Sequence, residues 1–255
     1  MRNKTGKQVG AEAEAKAALV QYLRATGRMV RGAAIALELG IAKQSNRADA
    51  ALITNKLELF EIKTRNDNLS RLDSQLESYG KVADFVTVVA ATNHISVIIS
   101  KVADHIGILE IISFEDTCQI RLVRDAKISP SWKPADALQL IPASEIRERL
   151  LGGTGPKNRA DVILQAASLP PELQREAVVK FLRDRYRAST QAFLRLVRKR
   201  NAKPRDLAAL HIWKQINLQS PLNMNIPIDF NDDYITFVGK CFGPIPDDVK
   251  NLLNA

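Results

Sequence analysis

Apolar positions along the chain switch between helical and strand spacing, and each switch predicts an element. Residues 8–26 place apolar side chains at helical intervals and end at Gly27, which predicts a helix. Two apolar stretches, residues 48–53 and 57–64, are separated by three residues and predict the strands of a hairpin. The stretch between the helix and the hairpin, residues 29–41, is apolar and small and fits either a helix or a strand.

A second helix and a buried strand are predicted after the hairpin. Apolar residues keep helical spacing from Leu69 to Ala83, after Asn and Asp residues that can cap a helix. Residues 85–91 form a continuous apolar run, which is typical of a strand buried on both faces. The order of helix, strands, helix and strand predicts an α/β fold. Further strands are predicted in residues 95–100, 107–113 and 119–125.

The second half of the chain is predicted to be a separate helical region. The glycine-rich stretch 152–158 is interpreted as a linker, because its spacing does not match that of a phosphate-binding loop. A long helix is predicted for residues 170 to about 201, followed by a shorter helix and a tail rich in Pro, Asn and Asp. The pattern thus divides the chain into residues 1–150 and residues 151–255.

Charge is concentrated in the predicted long helix. The chain has a net charge of +9, and residues 175–205 carry eleven Lys or Arg against two acidic residues, whereas residues 1–150 are nearly balanced at 21 against 18. Such a basic stripe predicts a polyanionic partner, since neutralising phosphates releases counterions. A solvated helix face is the alternative interpretation. The basic residues expected to bind phosphate are Arg183, Arg185, Arg187, Arg195, Arg198, Lys199 and Arg200.

Other features predict a cytoplasmic protein. No apolar run approaches the ~20 residues of a membrane span, so no membrane association is expected. The start of the chain lacks the apolar core of a secretory signal. Two cysteines, Cys118 and Cys241, are too few for a disulfide scaffold or a zinc site.

Three charged residues interrupt the apolar hairpin. Side chains alternate along a strand, so Glu61 and Lys63 share a face and Ile62 points the other way. A three-residue loop between the strands places Asp49 directly opposite Glu61 on that face, whereas a two-residue loop would separate them. In the first register, two carboxylates meet beside a lysine and repel each other unless a cation lies between them.

A hard divalent cation suits this arrangement. Mg²⁺ prefers oxygen ligands and commonly binds one or two carboxylates together with water and phosphate oxygens. Asp49 and Glu61 could supply the carboxylates and the backbone carbonyl of Ile62 a further oxygen. Lys63 could orient or deprotonate the attacking water, or stabilise charge developing on phosphorus. The residues therefore predict a site for phosphodiester hydrolysis.

The spacing of Asp49 and Glu61-Ile62-Lys63 resembles the motif of the PD-(D/E)XK nuclease superfamily, with Ala48 where that motif has proline. Gln75 and Tyr79 resemble the Gln-x-x-x-Tyr signature of its RecB-like branch. Residues 35–150 are also similar to small bacterial proteins of this superfamily without an assigned role.

The resemblance implies a restriction-endonuclease-like α-β-β-β-α-β core in a nuclease-like domain of residues 1–150. It implies metal binding by Asp49 and Glu61, catalysis by Lys63, and support of the site or contact with the scissile strand by Gln75. Tyr79, one turn further on and on the same side, is expected to contact nucleic acid. An additional upstream glutamate is expected, and Glu38 fits it better than the competing candidates Glu12 and Glu14.

Together these features predict a nuclease that depends on Mg²⁺ or Mn²⁺ and grips nucleic acid with a basic C-terminal region. DNA is favoured over RNA because most of the resembling superfamily cuts DNA. Defence, mobile-element maintenance and repair are possible settings. Alternatives that stay open are an RNA-directed nuclease and a non-catalytic nucleic-acid-binding scaffold on the same fold. Asp49 could also be an ordinary strand-edge residue that accepts backbone hydrogen bonds.

Overall fold

A computed structural model describes residues 10–41, 46–114, 117–211, 234–237 and 240–244. Within these ranges the protein has an α/β fold built on a six-stranded sheet. Two 3₁₀ segments, Leu138–Leu140 and Pro204–His211, accompany the helices. The helices and strands are α1 (Ala11–Ala25), β1 (Ala34–Ile41), β2 (Asn46–Ile53), β3 (Leu57–Lys63), α2 (Leu72–Val82), β4 (Phe85–Ala91), α3 (Thr92–Lys101), β5 (Gly107–Phe114), β6 (Thr117–Arg124), α4 (Pro134–Ala137), α5 (Ala143–Leu150), α6 (Arg159–Ala167), α7 (Pro171–Leu196), β7 (Tyr234–Phe237) and β8 (Lys240–Pro244).

The strands lie in chain order across the sheet, from β1 to β6. β1, β2 and β3 form an antiparallel meander, β3, β4 and β5 are parallel, and β6 returns antiparallel to β5. Each parallel step needs a crossover, which α2 and α3 supply. The strand predicted for residues 95–100 is therefore wrong: these residues lie in α3, where only Ile98 is buried.

Both faces of the sheet are covered, which explains the continuous apolar runs of its central strands. Leu57 and Leu59 of β3 belong to the core between the sheet and helices α2 and α4–α7. Phe60 and Ile62 of the same strand belong to the core on the opposite face, beneath α1. The predicted alternation of β3 is confirmed, with Ile62 directed away from its two charged neighbours.

The hairpin of β2 and β3 has the predicted register. Ile53 faces Leu57 across a three-residue loop, and Ala50 faces Phe60 at the last pair of the ladder. The loop is closed by the backbone N–H of Thr54, which donates to the carbonyl of Lys56 at 2.9 Å. Continuing this register by one residue brings Asp49 opposite Glu61.

The predicted division at residue 150 does not separate two cores. Helix α7 contributes Leu182 to the core of one sheet face and Phe193 to that of the other. It is also tied to β1, where the hydroxyl of Thr190 accepts from the backbone N–H of Ile35 at 2.9 Å. The apolar positions of α7 need a partner surface, and β1 provides it at the edge of the sheet. The region 151–255 is not wholly helical either, because it contains the hairpin of β7 and β8.

Candidate functional site

The site lies where β2 and β3 stop pairing through their backbones. The backbone pairing of β2 with β3 ends at Ala50 and Phe60. At the next position of β2, the side-chain carboxylate of Asp49 makes a hydrogen bond with β3. Its Oδ2 accepts from the backbone N–H of Ile62 at 2.6 Å. The Asp49 side chain therefore binds β3 at the point where the backbone pairing ends.

Helix α2 completes the arrangement around Glu61. Lys63 Nζ donates to Glu61 Oε1 at 2.7 Å and to Gln75 Oε1 at 3.1 Å. The Tyr79 hydroxyl donates to Glu61 Oε2 at 2.7 Å. Glu61 and Lys63 are only 3% and 6% exposed. The structure thus brings together Asp49, Glu61, Lys63, Gln75 and Tyr79, the residues that the sequence pattern selected.

A second set of charged residues adjoins Asp49 from α1 and β1. Ligand atoms of Glu12, Glu38 and Asp49 lie within 4.8 Å of one another. Lys16 Nζ donates to Glu12 Oε1 at 2.5 Å and also to Glu38 Oε1. Glu12, Glu38, Asp49 and Glu61 are called the site carboxylates below.

Glu38 has an unusual backbone conformation. The pairs on either side of it, Leu37 with Ala50 and Leu39 with Ala48, put it in line with Asp49, yet it makes no ladder pair itself. Its φ of 55° is the only positive value of a non-glycine residue in the described part of the chain. This left-handed conformation costs about 1 kcal/mol or more and is enriched at functional sites. Here it directs the Glu38 side chain toward Lys16 and Asp49.

Repulsion between carboxylates is the main electrostatic feature of the site. Burial and the negative charge of Glu61 raise the pKa of Asp49 to about 7, although the hydrogen bond from Ile62 and the charge of Lys16 act in the opposite direction. Burial and Glu61 likewise raise the pKa of the Tyr79 phenol. A cation bound between the carboxylates would remove this repulsion. The donor set is oxygen only, which fits Mg²⁺ or Mn²⁺.

Some predicted roles change with the structure. Tyr79 was expected to contact nucleic acid, but it is fully buried and instead orients Glu61. Glu38 lies at the site as predicted, and Glu12, the less favoured candidate, lies there too. Glu14 is exposed and is not part of this set. Lys16 was missed, and its only local signal is the spacing of four residues from Glu12, which places both on one side of α1.

The basic stripe lies far from this site. Arg183 Nη1 donates to the carbonyl of Thr54 at 3.4 Å, in the hairpin loop. Thr54 is five residues along β2 from Asp49, which corresponds to about 17 Å. At the other end of the stripe, the Val197 carbonyl accepts from Arg24 at 2.8 Å. Arg24 is on the last turn of α1, about 18 Å along the helix from Glu12. The stripe therefore borders the end of the sheet opposite the site.

Two residues of the basic stripe make hydrogen bonds within the protein. The guanidinium of Arg200 makes two hydrogen bonds, of 2.6 and 2.9 Å, with the buried carboxylate of Asp206. Arg183 is half-buried over the hairpin loop. The phosphate contact predicted for Arg200 is corrected accordingly, because its guanidinium binds Asp206 within the fold, whereas the contact predicted for Arg183 stays a prediction. Arg185 is also half-buried, and the stripe residues that are exposed are Arg187, Arg195, Arg198 and Lys199.

The predicted helix in this region is also too long. Helix α7 ends at Leu196, so Arg198 and Lys199 lie in the turn that follows it. Close to the site itself, Arg47 is an exposed cation: its Nη1 is 3.7 Å from Glu38 Oε2 and its side chain is 58% exposed. In the described ranges, no helix combines the length and the apolar character needed to cross a bilayer.

Comparison with known proteins relates the chain to a phage protein. Protein cII of Enterobacteria phage P4 is 29% identical over 211 residues, which cover 81% of this chain and 80% of that protein. A solved structure of a protein of unknown function from Silicibacter pomeroyi aligns with 59% of this chain and 99% of its own, at 18% identity and a TM-score of 0.39. The sequence pattern of the family described as bacteriophage P4 protein cII matches residues 6–211. The chain belongs to this family.

Proposed function

We propose that the protein is a metal-dependent nuclease of the PD-(D/E)XK type that hydrolyses phosphodiester bonds in DNA. The observation that carries this function is the meeting of Asp49, Glu61 and Lys63 at the point where β2 and β3 separate. The element order α1-β1-β2-β3-α2-β4 supports a restriction-endonuclease-like core. The pairing of Gln75 with Lys63 and of Tyr79 with Glu61 supports the resemblance to the RecB-like branch.

The site carboxylates suit a divalent cation. Asp49 and Glu61 would hold Mg²⁺ or Mn²⁺, with the backbone carbonyl of Ile62 as a further ligand. Glu38, which the sequence also suggested as a ligand, borders this position and is paired with Lys16. When bound, the ion supplies positive charge to a phosphate oxygen and lowers the pKa of a coordinated water. Protein residues prepare the site for it: the Ile62 N–H orients Asp49, and the buried Tyr79 hydroxyl orients Glu61.

Lys63 is the residue suited to the chemical step. Its ammonium lies on the same side of β3 as Glu61 and is anchored by Glu61 and Gln75. A positive charge held in a buried site, without rearrangement, stabilises the negative charge that develops on phosphorus. The same ammonium can orient the attacking water by donating a hydrogen bond to it. Gln75 acts as a positioning residue, because its contact with the reacting atoms would run through Lys63.

Nucleic acid would be bound in two places. Arg47 is exposed beside the site and could contact a phosphate next to the scissile bond. The exposed stripe residues border the opposite end of the sheet and would contact phosphates several base pairs further along a duplex. Binding through phosphates alone predicts little sequence preference. Membership of a family described by a phage protein supports a role on a mobile element.

A substrate panel tests this function. The protein is incubated with supercoiled plasmid, single-stranded DNA and RNA, each with Mg²⁺, Mn²⁺ or EDTA. We expect strand breaks in DNA with either metal and none with EDTA. Cleavage of RNA alone would change the substrate, whereas salt-sensitive binding without cleavage would replace the nuclease by a binding scaffold.

Removing exposed stripe charges should weaken binding in a salt-dependent way. The variant Arg187→Ala/Arg198→Ala/Lys199→Ala removes three phosphate contacts at most. Because each contact contributes ~0.9 to the slope of log affinity against log salt, we expect the slope to flatten by up to about 2.7. Fluorescence anisotropy with labelled duplex DNA between about 50 and 200 mM salt measures it.

The matched control removes the same charge from exposed lysines outside the stripe, in Lys127→Ala/Lys133→Ala/Lys157→Ala. Its slope should stay close to that of the wild type. If the stripe variant and this control behave alike, the stripe is a solvated surface and DNA is bound elsewhere.

A further inference from the structure

Lys16 is an unexpected member of the site. It is only 8% exposed, although lysine is rarely buried without a compensating charge. Its ammonium is paired with Glu12 from one turn earlier on α1 and with Glu38 from β1. A lysine that is paired with two carboxylates keeps its positive charge, because the charged form is compensated on both sides. A buried cation therefore lies among the site carboxylates.

The site carboxylates form two adjacent positions for a cation. Asp49 belongs to both, because it faces Glu61 on one side and lies within 4.8 Å of the Glu12 and Glu38 oxygens on the other. The position between Asp49 and Glu61 is the one assigned above to a divalent ion. The other position, between Glu12, Glu38 and Asp49, contains the ammonium of Lys16.

The protein itself supplies positive charge to both positions. The site carboxylates, of which Glu12 is exposed, contact the buried ammonium groups of Lys16 and Lys63. Because the ammonium of Lys16 already lies between the oxygens of Glu12 and Glu38, a divalent ion at that position would have to displace it.

We propose that Lys16 takes the place of a second divalent ion, so that this nuclease site holds only one. This role presupposes the metal site of the proposed function and adds its stoichiometry. Without the Lys16 ammonium, the oxygens of Glu12, Glu38 and Asp49 would need to close only slightly to share an ion. Oxygens bound to one Mg²⁺ at about 2.1 Å are about 3 to 4 Å apart.

The backbone of β1 is consistent with this role. Glu38 makes no backbone pair with β2, and its carboxylate contacts Lys16 from a left-handed backbone conformation. An ordinary surface ion pair would not require this strained conformation. The Lys81–Glu77 pair on α2 has the same four-residue spacing as Lys16–Glu12, but it is exposed.

Counting bound Mn²⁺ tests the role of Lys16. The wild type, Lys16→Met and the matched control Lys81→Met are titrated with Mn²⁺ and followed by calorimetry and by the loss of the free-ion electron paramagnetic resonance signal. We expect one ion per chain in the wild type and in Lys81→Met, and two in Lys16→Met. One ion in Lys16→Met, with wild-type affinity, would overturn the role assigned to Lys16.

A second measurement and one further variant keep the result interpretable. Lys16→Met leaves carboxylates without their cation, so its thermal unfolding is measured with EDTA and with Mn²⁺, and we expect Mn²⁺ to raise its Tm more than that of the wild type. Lys16→Arg keeps the positive charge and should still bind one ion; two ions would contradict the role of charge.

The variant Asp49→Asn separates this inference from the proposed function. Asp49 is shared by both cation positions. If the metal site is where we place it, an otherwise wild-type protein with Asp49→Asn should not bind Mn²⁺. If Asp49→Asn binds Mn²⁺ as the wild type does, the metal site itself is wrong. If Asp49→Asn loses binding but Lys16→Met gains no ion, only the role of Lys16 fails.

Discussion

Replacing Lys63 with alanine should lower the rate of DNA cleavage by about 10²–10³-fold or more while leaving the dissociation constant for DNA within a few fold. The Lys63 ammonium is buried, anchored by Glu61 and Gln75, and adjacent to the carboxylates that would hold the metal. It can therefore act on the charge that develops in the transition state. Exposed arginines and lysines, which Lys63→Ala does not change, would supply most of the affinity.

Single-turnover cleavage with Mg²⁺ measures the rate, and anisotropy in EDTA measures the affinity. Lys81→Ala is the control, because Lys81 is also paired with a glutamate but lies on the exposed side of α2. A loss of affinity that matches the loss of rate would contradict a chemical role for Lys63. Unchanged cleavage would exclude Lys63 from the reaction.

Replacing Asp49 with asparagine should stabilise the metal-free protein increasingly as the pH rises from about 4 to 7. In the folded protein the pKa of Asp49 is raised to about 7 from an ordinary value of 3.8. Between these values the folded state keeps a proton that the unfolded state has released. The contribution of Asp49 to stability therefore falls as the pH rises through this window and is constant above it.

The full effect is large for a single side chain. A shift of about three pKa units corresponds to roughly 4 kcal/mol, which asparagine would restore because it has no charge to bury. Its side-chain oxygen can still accept the hydrogen bond from the Ile62 N–H. Urea unfolding in EDTA at several pH values between 5 and 8 measures the difference between the two proteins.

The control for this pH dependence is Asp104→Asn, because the Asp104 side chain is 96% exposed. Its free energy of unfolding should follow that of the wild type across the range. If Asp49→Asn also runs parallel to the wild type, Asp49 is ionised without penalty and the repulsion between the site carboxylates is too weak to attract a metal. A stability cost retained for function is common in active sites.

The local pattern of apolar and polar residues correctly predicted those elements whose conformation depends mainly on their own residues. Strand β4 and the register of the β2–β3 hairpin follow from a continuous apolar run and from the length of one loop. Residues 95–100 were misassigned because their β-branched side chains favour a strand, while the crossover between the parallel strands β4 and β5 requires a helix there. Tertiary topology outweighed local propensity.

The same distinction applies to the site. Asp49, Glu61 and Lys63 lie on one hairpin, so their meeting could be derived by counting along two strands. Lys16 and Glu38 are 22 residues apart, and their contact depends on how α1 packs over the sheet. No spacing rule relates a helix to a strand at that distance, and the left-handed conformation of Glu38 has no signal in the sequence.

The position of the basic stripe also depends on packing. Its charge density is visible in the sequence, but its distance from the site follows from the contact of α7 with β1. The pairing of Arg200 with Asp206 depends on the chain turning back after α7. Charge counts alone therefore overestimate how many basic residues are available to bind phosphate.

In the proposed function, the site carboxylates and Lys63 form a metal-dependent hydrolytic centre. Nicking of supercoiled plasmid by the wild type and by Glu61→Gln, in Mg²⁺ and in EDTA, tests it most directly. Glutamine keeps the shape of the side chain but removes the charge that would hold the ion. We predict nicking by the wild type in Mg²⁺ and none by the wild type in EDTA or by Glu61→Gln. Equal nicking by both proteins, or no nicking by correctly folded wild type, would contradict the claim.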